Sequence, residues 1–303
     1  MKVLVTGASG MVGRNLVQKI TEWGWSPVPV DRQSCNLQNE KECFNVIEKS
    51  KPDAIVHCAG LVGGIHINME HPYEFFVVNM QLGMNIFDAS IKNEVPKFIN
   101  LGSSCMYPKN ITTLKESNLF GGEIEKTNEG YGLAKLATAK LTEICNKQYN
   151  TNYKTLIPCN LFGKWDKFDP DKSHMIPAVI RKVYEAKVQN KESCEIWGDG
   201  TCRREFMYAE DLVDFILFSL ENYNKIPQYC NAGIGHDYTI NEYHSVVAEV
   251  IDYKGNFSHD LTKPSGVDRR LLDISSQKSL GWKPSHSLEE GIEKTFEYFK
   301  KII

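Results

Sequence analysis

Short apolar runs alternate with longer amphipathic stretches through the first half of the chain. Apolar runs of strand length occupy residues 2–6, 26–30, 54–58, 97–101 and 154–158, and helical spacing of apolar positions occupies 11–23, 40–49, 72–90 and 131–149. This alternation predicts a parallel sheet with helices on both faces. The strands are apolar almost throughout, which is typical of a sheet buried on both sides. We therefore predict an α/β fold built on a doubly wound, Rossmann-type parallel sheet.

The regular alternation of strand-length and helix-length segments ends near residue 163. Beyond it, prolines and glycines separate shorter elements, at Pro170, Pro177, Gly198, Gly200, Pro227, Gly233 and Gly235. We predict that residues 1–163 form the Rossmann-type domain and that a segment near 205–245 returns to it. The remaining parts of 164–303 are predicted to form a smaller α/β domain, partly interleaved with the first.

Charge and cysteine usage narrow the class of protein. The 303 residues carry 35 Lys and Arg against 38 Asp and Glu, a formal charge of -3. A nucleic-acid protein or a polybasic membrane-surface protein would need a basic excess, so neither partner is expected. The chain has no apolar run of membrane-spanning length and its N-terminus lacks the features of a signal peptide, which predicts a cytoplasmic protein. The nine cysteines form no Cys-x-x-Cys pair, so we predict reduced thiols and no metal site.

A glycine-rich turn joins the first strand to the first helix. Gly7, Gly10 and Gly13 are spaced Gly-x-x-Gly-x-x-Gly. The first allows a tight turn, the second lets the backbone approach a pyrophosphate, and the third lets helix and strand pack closely. The helix N-terminus then offers N–H groups to the phosphates. This position predicts a dinucleotide site, with further contacts from Ser9, Met11, Val12, Ala59 and Gly60.

Two residues at the end of the second strand bear on the choice of cofactor. Asp31 is suited to hydrogen-bond the adenine ribose of NAD, whereas Arg32 is suited to the 2′-phosphate of NADP. The two side chains favour opposite cofactors, and an ordinary ion pair at a strand end also fits them.

A tyrosine and a lysine lie four residues apart in the predicted helix 131–149. Tyr131 and Lys135 share one helix face. A nearby ammonium favours the phenolate, so the spacing predicts a lowered pKa for Tyr131. The phenol would then be suited to protonate a carbonyl oxygen. Ser103, at the end of the strand before this helix, completes the arrangement.

Other segments are more distinctive. They are LVGGI at 61–65, LGSSCMYP at 101–108, CNLFG at 159–163, SHMIPA at 173–178, WGDG at 197–200, REF at 204–206 and KPSGVDRRLLD at 263–273. Together with the glycine turn, Ser103 and Tyr-x-x-x-Lys, they resemble the GDP-L-fucose synthases over nearly the whole chain. These are NADPH-dependent epimerase/reductases of the extended short-chain dehydrogenase/reductase class.

The resemblance implies specific roles. Ser103 would hydrogen-bond the substrate carbonyl, Tyr131 would protonate it, and Lys135 would hold the nicotinamide ribose. Cys105 and His174 would act as base and acid in epimerisation at C3 and C5. The substrate, a GDP-4-keto sugar, would contact Ser104, Asn160, His174, Lys182, Trp197, Arg204 and Arg270. The resemblance also implies NADP(H) as cofactor, with NAD(H) left open, and a homodimer formed by the helices 72–90 and 131–149 through Leu136, Ala137, Leu141 and Ile144.

Departures from the family pattern leave alternatives open. Leu61 stands where the family has Lys, Lys164 stands where it has Pro, and residues 68–71 also differ. These changes surround the sugar pocket, so they leave room for a 4-keto sugar other than the 6-deoxyhexose of the family, for instance a heptose. A reductase that does not epimerise is one alternative, and a nucleotide-sugar 4,6-dehydratase or 4-epimerase is another. The segment after Ser103 lacks the acid that a dehydratase needs. A non-catalytic dinucleotide sensor is a third alternative, which the presence of Tyr131 and Lys135 disfavours.

Overall fold

The computed structural model describes residues 1–169, 173–263 and 268–303. Pro170, one of the prolines noted after residue 163, and Pro264 and Gly266 of the motif at 263–273, lie outside these residues. The first half contains β1 (Lys2–Thr6), α1 (Met11–Glu22), β2 (Ser26–Val30), α2 (Glu40–Ser50), β3 (Ala54–His57), α3 (Ile65–Glu70), α4 (Pro72–Lys92), β4 (Lys97–Leu101), β5 (Thr113–Leu114), α5 (Glu129–Tyr149) and β6 (Lys154–Pro158).

The second half is built from shorter elements. They are β7 (Asn160–Phe162), α6 (Met175–Val188), β8 (Ser193–Trp197), β9 (Arg203–Arg204), β10 (Phe206–Tyr208), α7 (Ala209–Glu221), β11 (Tyr229–Ala232), β12 (Tyr238–Thr239), α8 (Ile240–Ile251), β13 (Asn256–Asp260), β14 (Arg269–Leu272), α9 (Ser275–Ser279) and α10 (Leu288–Phe299). Short 3-10 helices cover Ser104–Met106, Glu116–Asn118, Lys126–Asn128 and Tyr223–Lys225.

Six parallel strands form the main sheet, in the order β11-β6-β4-β3-β1-β2. The chain runs outward from β1 in one direction to β2 and in the other through β3, β4, β6 and β11. The order therefore reverses between β1 and β3, and a ligand crevice is expected outside the carboxyl ends of these two strands. The predicted fold class, an α/β protein with a doubly wound parallel sheet, is confirmed.

Side chains of the sheet alternate between two separate cores. Val3 and Val5 of β1 pack with Leu16 of α1 and with α7 on one face. Leu4 of the same strand packs with Ile47 of α2 and with α4 on the other face. All five side chains are at most 1% exposed. Burial on both faces explains why these strands are apolar without alternation.

The second half adds a third core and three small sheets. α6, α8 and α10 enclose this core around Ile180, Val247 and Ile292. The small sheets are β7 with β10, β8 with β13, and a four-stranded sheet in the order β12-β9-β14-β5. β11, which follows α7, pairs with β6 in the main sheet. The division into domains at residue 163 stays a prediction.

The nine helices and strands predicted for the first half are present with ends within two residues of the predicted ones. The sequence interpretation missed α3 and β5, which are six and two residues long. Within the described ranges, no helix is long and apolar enough to cross a membrane. Those same residues contain no group of three or more His, Cys, Asp or Glu placed to hold a metal ion.

Candidate active site

The turn after β1 packs so closely against its neighbours that it requires glycine at two positions. Gly7 has φ +67°, a conformation that favours glycine. A Cβ at Gly13 would lie 2.2 Å from the carbonyl oxygen of Gly7, so α1 can approach the turn only without a side chain there. Gly10 caps α1 from an extended conformation, while Ser9 and Gly10 are exposed. The first N–H groups of α1, which begins at Met11 and Val12, therefore face an open site suited to a pyrophosphate.

Asp31 follows β2 and organises its own turn. Its Oδ1 accepts hydrogen bonds from the N–H groups of Gln33 and Ser34, each at 3.0 Å, and from the Ser34 hydroxyl. Hydrogen bonds from Ser34, first its backbone and then its hydroxyl, hold the pKa of this carboxyl below its usual range. Arg32 is exposed beside it. The carboxylate is thus engaged within the loop, while the guanidinium of Arg32 faces solvent.

Lys135 is a buried cation at the other side of the crevice. Its side chain lies in the interior, with the residue 6% exposed, and its ammonium donates a 2.9 Å hydrogen bond to the carbonyl of Leu101 at the end of β4. A Cβ added to Gly60 after β3 would lie 3.7 Å from Nζ, which places Gly60 and the adjoining Ala59 next to the ammonium. Burial lowers the pKa of Lys135 to about 8, partly offset by Cys58. The group is thus a cation held in a poorly solvated position.

Ser103 and Tyr131 meet at the end of β4. Burial raises the pKa of the Tyr131 phenol above its usual value, and Cys105 raises it further, while a hydrogen bond with Ser103 opposes the shift. The predicted lowering of this pKa by Lys135 is therefore wrong for this arrangement. The ammonium of Lys135 is directed to the carbonyl of Leu101, and desolvation of the phenol dominates.

Cys105 lies in the 3-10 helix that follows Ser103. Its backbone N–H donates to the Ser103 hydroxyl at 3.2 Å. The amide of Asn128 donates to its sulfur, with 3.0 Å between Nδ2 and Sγ. A Cβ at Gly132 would lie 2.8 Å from the carbonyl oxygen of Cys105, so α5 passes this turn at glycine distance. The thiol is partly exposed and lies beside Tyr131.

Two arginines form a positively charged patch next to this turn. β9 and β14 pair in parallel, and their register places Arg204 directly opposite Arg270. Arg270 donates Nη2 to the carbonyl oxygens of Tyr107, at 3.0 Å, and Ser104, at 3.4 Å. Burial lowers the pKa of both guanidinium groups, and Arg270 contributes to the shift of Arg204. Two neighbouring cations at this position are suited to a diphosphate.

The other residues of β9 and β14 point to the opposite face of the small sheet. Arg203 and Arg269 both donate to the carboxylate of Asp237, which is 2% exposed. The Nε–Oδ1 distance from Arg203 is 2.8 Å. Burial alone would raise the pKa of Asp237, but hydrogen bonds from the two arginines hold it below its usual range.

The remaining predicted substrate residues lie in or beside β7, α6 and β8. Lys182 of α6 and the exposed Trp197 of β8 are joined through Glu195, whose Oε1 is 3.8 Å from Lys182 Nζ and 3.1 Å from Trp197 Nε1. Asn160 donates to the carbonyl of Glu205 at 3.0 Å. His174 immediately precedes α6, and burial lowers its pKa, with a smaller contribution from Lys167. A histidine with this shift is neutral at pH 7.

Sequence reasoning missed Asn128. An asparagine directly before a helix has the pattern of an ordinary N-cap, and this pattern hides a contact with a cysteine 23 positions away. A search for polar residues just ahead of the Tyr-x-x-x-Lys helix would have found it.

A glycine cradle, a buried lysine and a Ser–Tyr pair, gathered at the reversal point of a doubly wound sheet, define an oxidoreductase of the extended short-chain dehydrogenase/reductase class. Residues 3–240 match the NAD dependent epimerase/dehydratase family, and the chain belongs to that family.

Two relatives and one solved structure show how far the similarity extends. The chain is 48% identical over 301 residues to a GDP-L-colitose synthase of Yersinia pseudotuberculosis, covering 99% of this chain and 98% of that one. It is 45% identical over 299 residues to a GDP-L-fucose synthase of Azorhizobium caulinodans, covering 98% and 96%. A GDP-mannoheptose C4 reductase from Campylobacter jejuni, solved with NADP bound, superimposes with a TM-score of 0.90 at 31% identity, covering 99% and 98%. The resemblance to the GDP-L-fucose synthases is confirmed.

Proposed function

We propose that the protein uses NADPH to reduce the C4 ketone of a GDP-4-keto sugar and epimerises the same sugar at C3 and C5, in the biosynthesis of a nucleotide sugar for surface glycans. The observation that carries this proposal is the meeting of Ser103, Tyr131 and Cys105 at the mouth of the crevice. The similarity to GDP-L-colitose and GDP-L-fucose synthases supports the class of substrate.

The crevice fits a dinucleotide cofactor. Glycines at 7, 10 and 13 let the turn and α1 pack closely, which leaves the first N–H groups of α1 open to a pyrophosphate. Arg32 would face an adenosine 2′-phosphate, and Lys135 would hold the nicotinamide ribose. When bound, NADPH supplies the hydride for C4.

Tyr131 supplies the proton for the reduction. Its raised pKa keeps the phenol protonated at neutral pH, so it donates to the C4 oxygen as negative charge develops there. Ser103 donates a second hydrogen bond to the same oxygen. The ammonium of Lys135, one turn further along α5 and bonded to the carbonyl of Leu101, holds the nicotinamide ribose beside this proton transfer.

Cys105 and His174 serve the epimerisation. The protons at C3 and C5 flank the ketone and are acidic for that reason. The thiolate of Cys105 removes one of them, and Tyr131 and Ser103 stabilise the enolate oxygen that forms at C4. The imidazolium form of His174, a minority at pH 7 because burial lowers the pKa of this histidine, returns a proton to the opposite face of the same carbon, which inverts it. Both groups recover their original protonation states by proton exchange with water.

Two variants separate the two reactions. Tyr131→Phe removes the general acid, so NADPH oxidation should fall roughly 10²–10⁴-fold. Cys105→Ser replaces the thiol by a much weaker acid, so deuterium uptake from heavy water at C3 and C5, followed by NMR, should stop while reduction persists. Unchanged NADPH oxidation in Tyr131→Phe would refute the whole assignment.

A C4 reductase without epimerase activity is the second candidate. The similarity to a GDP-mannoheptose C4 reductase favours it. A native protein that oxidises NADPH on GDP-4-keto-heptose, but incorporates no deuterium at C3 or C5 of any GDP-4-keto sugar, would be such a reductase. The substrate panel should therefore contain 6-deoxyhexose and heptose forms.

We also propose a cytoplasmic homodimer. α4 and α5 pack together so closely that a Cβ at Gly83 would lie 2.3 Å from Thr138. On their outer side both helices expose apolar side chains: Tyr73, Phe76, Met84, Leu133 and Ile144. Exposed apolar side chains on two packed helices favour burial against a second copy of the chain. Leu136 and Leu141, two residues of the predicted interface, are partly buried against the protein's own cores. Light scattering at micromolar concentration should show a dimer that Met84→Glu dissociates.

A further inference from the structure

Asn128 stands where a helix N-cap is expected but does not cap the helix. Asparagine is among the favoured N-cap residues because its side chain accepts from the first N–H groups of the helix. Within the described part of the chain, the Asn128 side chain makes no such bond to α5. Its amide nitrogen lies instead 3.0 Å from the sulfur of Cys105. The helix therefore forgoes a stabilising contact, and the amide is directed to the thiol.

The surroundings of Asn128 hold this contact in place. Among the described residues its Oδ1 is buried without a hydrogen-bond partner, so the contact with Cys105 is the amide's remaining polar anchor. Gly132, one turn into α5, lets the helix approach the backbone of Cys105. Arg270 fixes the same turn from the other side through the carbonyl oxygens of Ser104 and Tyr107.

The charged and titratable groups around the Cys105 sulfur are Tyr131, Arg270 and Glu125. Tyr131 lies on α5, and Arg270 lies on β14 with Glu125 nearby. The Tyr131 phenol is neutral at pH 7 because burial raises its pKa. Arg270 and the Asn128 amide are thus a cation and a neutral donor placed next to the thiol, and each favours its thiolate.

We infer that Asn128 is a positioning residue that acts through Cys105: its amide donates to the sulfur, holds it in place for proton abstraction and stabilises the thiolate. This inference rests on the proposed function only for the use made of the thiolate. The hydrogen bond itself is tested without any turnover.

The first measurement is the pH dependence of Cys105 alkylation by iodoacetamide in the full-length protein, followed peptide by peptide by mass spectrometry. A hydrogen bond to a charged group shifts a titration midpoint by about one to two pH units. Asn128→Ala should therefore raise the midpoint of Cys105 alkylation by that amount. Asn128→Asp, nearly the same shape, should raise it at least as far, because a carboxylate repels the thiolate. Of the nine cysteines, all of them described, only Cys58 and Cys105 are partly exposed. Cys58 therefore reports any general loosening of the structure in the same sample.

Lys126→Met is the matched control, since it changes an exposed side chain of the same 3-10 helix and should leave the Cys105 midpoint in place. A Cys105 midpoint that is equal in native protein and Asn128→Ala would overturn the inference. So would a shift in which Cys58 becomes reactive to the same degree, because that outcome is unfolding.

The second measurement is deuterium incorporation at C3 and C5 against pH. In Asn128→Ala the rate should fall at pH 7 and recover as pH rises through the new midpoint, whereas a merely structural role would lower it at every pH. Loss at every pH would overturn the inference. If the native protein incorporates no deuterium while the alkylation midpoint still shifts, the proposed epimerisation fails and the role of Asn128 toward the thiol stands.

Discussion

Replacing Lys135 by methionine should make the protein more stable at neutral pH while abolishing its activity. The methionine side chain has a similar length, fills the same space and carries no charge. The buried ammonium has a pKa of about 8, compared with 10.5 for an ordinary lysine. At pH 7 the lysine is therefore still charged, although burial disfavours the charged form.

The magnitude follows from this difference in pKa. Each unit corresponds to about 1.4 kcal/mol, so the charged group destabilises the fold by about 3 kcal/mol at pH 7. Lys135→Met loses the hydrogen bond to Leu101, which offsets roughly 1–2 kcal/mol of the gain. The expected net effect at pH 7 is a stabilisation of roughly 1–2 kcal/mol.

The stability of the native protein should rise with pH in a defined window. Between about pH 8 and pH 10.5 the unfolded chain binds more protons at this lysine than the folded chain does, so native stability rises with pH in that window. The variant lacks this titration. The difference in unfolding free energy between the two proteins should therefore shift by about 2.5 kcal/mol in favour of the native protein from pH 7 to pH 10.

Urea unfolding of cofactor-free protein, followed by tryptophan fluorescence at several pH values, measures this difference. Lys147→Met is the control, because that side chain is 76% exposed on the same helix and should give curves parallel to those of the native protein. If the curves for Lys135→Met were also parallel to the native ones, Lys135 would not titrate as a buried group, and the reasoning would be refuted.

Three further predictions concern ligand binding. Arg32→Ala should weaken NADPH binding roughly tenfold and NADH binding much less, because a charge-assisted bond to the 2′-phosphate is lost; equal losses in a fluorescence titration would contradict this. Gly13→Ala should abolish cofactor binding through the clash with Gly7, whereas Gly64→Ala, where an added Cβ meets no atom within 4 Å, should leave it intact. Arg204→Gln should raise the KM for the GDP-4-keto sugar roughly 10–100-fold with an unchanged NADPH Kd; an unchanged KM would remove Arg204 from the diphosphate site.

The main sheet could be predicted from the sequence because each of its elements carries its own signal. β1 and α1, for example, are marked by a continuous apolar run, a glycine turn and a helical period. β9 has two residues and β14 has four, which is too short for a periodicity to be detected. Their pairing joins positions 66 residues apart in sequence, and only the folded chain shows it.

Parts of the candidate site that depend on local sequence could be predicted, and parts that depend on tertiary packing could not. The glycine cradle and the Tyr131–Lys135 pair depend on local spacing, so the sequence predicts their neighbourhood. It did not predict the direction of the Tyr131 pKa, because burial outweighs a neighbour whose ammonium bonds elsewhere. The contact between Asn128 and Cys105, and the pairing of Arg204 with Arg270, depend on tertiary packing.

The four arginines of β9 and β14 bear on the register in which these two strands pair. Each strand presents two consecutive arginines, so sliding one strand by a single residue would still leave an arginine on each face. Leu272 is buried where β14 pairs with β5, which holds β14 in place, but the arginines themselves are equal in size and polarity. Asp237 distinguishes between them, because its one buried carboxylate accepts from Arg203 and Arg269 together in the observed register. A carboxylate on the far side of the sheet thus selects which pair of arginines faces Ser104 and Cys105.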